Sequence, residues 1–177
     1  MLAVRGAPGR PELVFRALTF GVVALAVFGW YGPRFQREVG LPAIDMDGVA
    51  SPEHTLALMA SYGPLGRRDY LVFLSLDCLF PVAASLLLLA LYDVTTRALA
   101  PGSRARATLV LVGALPAVCD LVENTLYALL ATLYPRHAGP LAQLAYVATL
   151  LKVATALVAL SVLAAASLHC LRRARSS

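Results

Sequence analysis

The chain has 177 residues, of which 59% are hydrophobic, 8% aromatic and only 14% charged, whereas a soluble domain carries about 45–50% apolar and about 25% charged residues. A water-soluble sphere of this length cannot hide so much apolar surface, and a mean hydropathy of +0.74 excludes disorder and a multidomain soluble enzyme alike. The charge is basic, 15 Lys+Arg against 10 Asp+Glu, but fourteen of the fifteen are Arg and most flank apolar runs, which points to membrane topology and away from nucleic acid.

Four segments reach the roughly 20 apolar residues that a helix needs to cross a hydrocarbon core about 30 Å thick. The first runs from Leu13 to Tyr31, with Arg16 one turn in, where its side chain can snorkel. Ala24-Leu25-Ala26 has the small-x-small form of a cleavage site, yet the apolar run continues through Val27, Phe28 and Trp30. An uncleaved helix is expected.

The connection from Gly32 to Asp69 follows. Ser51-Pro52-Glu53 carries the N-cap, N1 proline and early acid of a helix start. A short helix through about Tyr62 is expected, with Leu56, Met59 and Ala60 on its apolar side and Gly63-Pro64-Leu65-Gly66 ending it. It should lie on the membrane surface or cap the mouth of the bundle. Asp45-Met46-Asp47-Gly48 resembles the opening of a calcium loop, but the fifth and twelfth positions are Val49 and Leu56, so it reads as loop acidity.

The second span runs from Tyr70 to Tyr92, the third from Ala107 to Tyr134 and the fourth from Leu141 to Leu168. The last two are long enough to tilt or project. Trp30, Tyr31, Tyr70, Tyr92 and Tyr134 fall at span ends, as in an interfacial belt. The predicted fold is therefore all-α, a single four-helix transmembrane bundle with a short extracytoplasmic helix between spans 1 and 2. Arg5, Arg10, Arg16, Arg97, Arg104, Arg106, Arg172, Arg173 and Arg175 share one side against Arg34, Arg37, Arg67, Arg68 and Arg136 on the other. That count places both termini in the cytoplasm of a multi-pass cell-membrane protein.

Four ionisable residues, Asp77, Asp120, Glu123 and Lys152, lie within the spans. Each central charge costs about 2.5–3.5 kcal/mol, so they should face the bundle interior and one another. On the third span Gly113, Pro116, Asp120, Glu123 and Tyr127 share a face at steps of three and four, with Asn124 at its edge. Lys152 shares a face of the fourth span with Ala145, Ala148, Thr149, Thr155, Ala156 and Ala159, small residues that admit a close neighbour. Glu123 lies eleven residues from Tyr134 and Lys152 eleven from Leu141, each roughly 16 Å deep. A Glu123–Lys152 contact is the pair this predicts. Asp120 sits a turn deeper, and Asp77, about 10 Å below Tyr70, is shallower.

Prolines stand beside two of the acids, in Asp77-x-x-x-Pro81 and Pro116-x-x-x-Asp120. Each frees the carbonyl four residues earlier, Asp77 for Pro81 and Val112 for Pro116, which suits a kinked, small polar cavity. Three acids against one Lys do not all stay ionised in a low dielectric, so at least one should hold a proton. Arg67 or Arg68 reaching down to Asp77 is the alternative.

No metal or cofactor site is expected. His54, His137 and His169 lack ligand spacing, and Cys78, Cys119 and Cys170 form no CxxC. GxSxG, HExxH and phosphate-cradling loops are absent from the sequence, and Ser75, Ser85 and Ser161 read as residues bonded to their own helices.

Gly66-Arg67-Arg68-x-Tyr70 leading into Asp77-x-x-x-Pro81, then Asp120-x-x-Glu123-Asn124, then Leu151-Lys152, resembles a group of uncharacterised bacterial four-span integral membrane proteins with an intramembrane D-x-x-E-N motif. The resemblance covers about Ser51 to Lys152 and implies fold and topology without an activity. Ala83-Ala84 stand where that group often has an aromatic.

Three functions are compatible with these residues. The first is a non-enzymatic membrane protein that binds a small polar or lipid ligand, or a proton or cation, at Asp77, Asp120, Glu123, Asn124 and Lys152. The second is a membrane-embedded enzyme using Asp120 or Glu123 as acid and base on a lipid. The third is a structural or assembly subunit. Membrane lipids are the expected partners in each, and assembly into a homo-oligomer is left open.

Overall fold

The computed structural model describes residues 9–99 and 103–176, and every regular element among them is helical. Four helices are long and apolar enough to cross a membrane: Pro11–Val39, Pro52–Thr95, Arg106–Leu133 and Ala138–Arg172. The all-α four-helix bundle is as the apolar runs predict. Of the arginines counted for orientation, Arg5 lies outside the described residues, as do the side chains of Arg10, Arg97, Arg173 and Arg175. We therefore name the two ends of the bundle by the chain: a loop end, bearing residues 40–51 and the last interhelical turn, and a terminal end.

The first span outruns Tyr31. Helix α1 (Arg10–Ala24) passes through a π-helical stretch, Leu25–Tyr31, into α2 (Gly32–Val39). Pro33 has no N–H to give and its ring crowds the carbonyl of Gly29, four residues back. Widening the preceding turn accommodates it, and the Gly32 N–H bonds the Val27 carbonyl, five residues back.

After a 3-10 turn at Ile44–Met46, α3 (Pro52–Asp77) joins the short loop helix to the second span. Ser51 caps it, its Oγ accepting the His54 N–H at 3.2 Å. The two parts meet at Gly63, whose φ of 62° and ψ of −178° belong to the conformations that only glycine adopts freely. Pro64 starts the next turn at once. The span thus begins well before Tyr70, because one residue suffices to turn the chain. The buried face of the loop helix is Thr55, Leu58, Met59 and Tyr62, while Leu56 is half-buried and Ala60 exposed. The predicted face was rotated, since the helix packs down onto aromatics rather than lying on a flat surface.

The second span breaks once. Between α3 and α4 (Leu79–Leu99) the helix is interrupted at Cys78, where Pro81 has no N–H for the Asp77 carbonyl. By contrast α5 (Ser103–Leu133) stays helical through Pro116. Helix α6 (Ala138–Ser176) has 39 residues, far more than a bilayer core requires.

Packing is uneven around the bundle. The longest seam joins α5 to α6, α3 and α4 both lie against that pair, and α1 packs along α4 without comparable packing on α5 or α6. Val14, Phe15, Leu18 and Val22 on α1, and Leu25 directly after it, are each more than half exposed, the face such a helix gives to lipid. Toward the loop end the core is aromatic: Phe35, Tyr62, Tyr70, Phe73 and Tyr127 are all buried and in ring contact. Tyr70 and Tyr92 are therefore core residues and not part of an interfacial belt, whereas Trp30 is exposed. Toward the terminal end Tyr92 lies against Gly113 and donates its hydroxyl to the Ala159 carbonyl. Arg106 pairs there with Asp93, and Arg16 donates to Glu12 and to the Leu86 carbonyl.

Candidate functional site

The acids and the lysine meet between these two ends. Lys152 on α6 is ion-paired with Glu123 of α5 and lies 3.3 Å from Asp120 Oδ1, one turn along the same helix. The pairing predicted from helical spacing and depth is present. Thr149, one turn before Lys152, donates to Glu123 Oε1 at 2.6 Å. The Tyr127 hydroxyl stands 3.4 Å from Thr149 Oγ1, placed to donate to it. Glu123 is only 2% exposed. An ammonium and a hydroxyl both face its carboxyl group.

Asn124 completes the link to the second span by donating Nδ2 to Asp77 Oδ2 at 2.8 Å. Asp77 is therefore level with the α5 acids, and not shallower than they are. Its depth was measured from Tyr70, and Tyr70 is not at a boundary. Arg67 does not reach Asp77. It donates to the Met59 carbonyl at 2.9 Å and lies over the Tyr134 ring, and Arg68 is exposed. Both guanidinium groups stay at the loop end, since the span continues above Tyr70 and carries them away from the cluster.

A fourth acid joins from a place that sequence reasoning assigned to loop acidity. Asp45, in the 3-10 turn, accepts the Tyr70 hydroxyl at 2.7 Å on Oδ2. Its Oδ1 is buried without a hydrogen-bond partner. Burial pushes the Asp45 carboxyl up to about 7, against a smaller opposing effect of the Tyr70 hydrogen bond. The turn is seated by buried Ala43 and Ile44 and by the Tyr62 hydroxyl, which donates to the Pro42 carbonyl at 2.6 Å. A detectable signal was the apolar run Leu41-Pro42-Ala43-Ile44 before Asp45, unusual for a loop free in solvent.

Beneath the cluster lies a cavity of about 410 Å³. Asp45, Asp77, Asp120 and Lys152 line its polar end; Glu123 is not among the lining residues. Apart from Ser85 of α4, the remainder is apolar. Pro81, Ala84 and Leu88 of α4 face Gly113, Pro116 and Ala117 of α5, with Val153, Ala156 and Leu160 from α6. Phe20 of α1 and Phe28 of the π-helical stretch form a further wall, where both contact Phe80. Both prolines singled out from the sequence thus border the same space. Since α1 and α6 supply walls without packing closely on each other, their seam is the weakest side of the enclosure.

Several oxygens at the polar end have no partner. Asp77 Oδ1 and Asn124 Oδ1 are buried and unbonded, like Asp45 Oδ1, although Asp77 is 3% exposed and Asn124 only 1%. Unsatisfied buried acceptors cost about 1–3 kcal/mol each, more when charged. Among the described residues, no three His, Cys, Asp or Glu side chains are close enough to hold one metal ion. Comparison with family models, with curated proteins and with solved structures gives no match to this chain.

Proposed function

We propose that this protein is an integral membrane protein that binds an amphiphilic molecule inside its bundle. The polar group of the ligand sits against Asp77, Asp120, Asp45 and Lys152, and its hydrocarbon lies between α1, α4, α5 and α6. The observation that carries this reading is the cavity of about 410 Å³, charged at one end and apolar along the rest. Pockets of about 300–1,000 Å³ with a few convergent polar groups are the usual form of small-molecule sites. A path for a bare ion would need polar lining along its length, and here only one end has it. The acid–base enzyme reading, if pursued, falls on Asp77 or Asp120, because Glu123 does not line the cavity. Glu123, Thr149 and Tyr127 serve instead as the internal support that fixes Lys152.

The test is extraction. Full-length protein purified in a nonionic detergent should carry a bound amphiphile detectable by mass spectrometry of its solvent extract. Ala117→Leu together with Ala156→Leu, which fills the apolar part, should reduce the amount at least about tenfold, equivalent to about 1.4 kcal/mol of affinity. Equal retention by the filled variant would remove the cavity as the site.

A further inference from the structure

Resting on the amphiphile reading above, we infer that the ligand's polar group is cationic and a hydrogen-bond donor: an amine, ammonium or amidine borne on a hydrocarbon body. The inference comes from counting what the polar end still needs. Three carboxyl groups line it, on Asp45, Asp77 and Asp120, with Glu123 behind them, against the single ammonium of Lys152. That ammonium is already taken up by Glu123 and Asp120. Asp45 and Asp77, which line the cavity, each retain one buried oxygen without a partner. Both are acceptors in the carboxylate form, which a cation brought against them favours.

The chemistry of the missing partner follows from that set. An anionic head group, such as a phosphate or carboxylate, would gain Lys152 only by displacing its present partners, and would lie against Asp45, Asp77 and Asp120. Like charges in a site of low dielectric repel strongly. A neutral alcohol could donate one hydrogen bond and would leave the carboxylate charge uncompensated. A protonated amine offers several donors and the opposite charge, and charge-assisted hydrogen bonds are roughly twice as strong as neutral ones. A metal cation is disfavoured by the spread of the acids, which among the described residues form no metal-sized group. The apolar walls of Ala84, Ala117, Val153 and Ala156 then select for a cation that carries hydrocarbon.

The experiment uses the full chain in a nonionic detergent at neutral pH, with dodecylamine, dodecanol and laurate as probes at equal mole fractions in the micelle. Binding is read by native mass spectrometry and by the shift of the thermal midpoint. Dodecylamine should bind at least about tenfold more tightly than either other probe, a difference of about 1.4 kcal/mol. Asp77→Asn and, independently, Asp45→Asn should each abolish most of that preference. The second lies on the loop and keeps the test available if the first variant does not fold. Dodecanol or laurate binding as tightly as the amine would overturn the cationic head group and leave the amphiphile reading standing. Failure of all three probes to bind, with the cavity-filled variant indistinguishable from the parent, would overturn the amphiphile reading itself.

Discussion

The two halves of this bundle are built on opposite plans. Toward the loop end, Phe35, Tyr62, Tyr70, Phe73 and Tyr127 fill the space between helices with rings. Toward the terminal end, alanine, glycine and proline face one another across a hollow that closes only near Tyr92. In lipid, helices gain little from leaving the solvent, so association depends on dispersion contacts and interhelical hydrogen bonds. The ringed half supplies those contacts, and the hollow half forgoes them. A molecule that kept a void of this size without use would lose packing for no return, so the contrast separates what holds the protein together from what it holds.

The largest break in that comparison should come at the boundary between the halves. Lys152→Met leaves Glu123 buried without its counter-ion, and removing one partner of a buried pair costs about 3–5 kcal/mol. Chemical denaturation in detergent should show that loss, and Glu123→Gln in the same chain should restore much of it. A single variant as stable as the parent would mean that the pair contributes nothing to the fold.

Next in size is the ringed half. Phe73 is fully buried, and Phe73→Ala should destabilise by about 3 kcal/mol, the low end for a large aromatic truncation. In the hollow half, Ala156→Leu should change stability by less than about 1 kcal/mol, because space already exists for the added carbons. Comparable losses for the two substitutions, measured by the same denaturation, would erase the distinction between the halves.

A further contrast concerns pH. The Asp45 carboxyl is faced by Tyr70 and Asp77 of α3, Glu123 of α5 and Lys152 of α6. Burial raises it to about 7 in the folded protein, above the ordinary Asp value of about 3.9. The folded state therefore holds a proton that the unfolded chain releases between about pH 4 and pH 7. Stability is greatest below that window and declines as pH rises through it. Asp45→Asn should flatten the slope of thermal midpoint against pH and leave the variant the more stable of the two above pH 7. An unchanged slope would show that Asp45 titrates as an exposed acid.

The sequence yields the spans because runs of about twenty apolar residues have few other uses. Glu123 and Lys152 could be paired from helical spacing and equal depth, both local properties of regular helices. A depth counted from Tyr70 misplaces Asp77, since rings at a span end look alike whether they meet headgroups or, like Tyr70, a loop core. Asp45 was invisible as a site residue for a different reason. A turn has no periodicity to show where its side chains point, and what holds this one inward, the burial of Ala43 and Ile44 and the Tyr62 and Tyr70 hydroxyls, joins residues distant in the chain. The cavity itself arises from what is missing between small residues on four helices, which no single stretch of sequence displays.

The one-sided packing of α1 also has a temporal meaning. Its hydrogen-bonded neighbour on α4, the Leu86 carbonyl, lies 70 residues beyond Arg16. At roughly 5–20 residues per second, a growing chain needs several seconds or more to make that neighbour. Throughout this interval α1 lacks that neighbour. Glu12, one turn from Arg16 and bonded to it at 2.6 Å, is a partner available from the outset. The first helix is thus equipped to wait, and the chamber is complete only when α6, its last wall, has been synthesised.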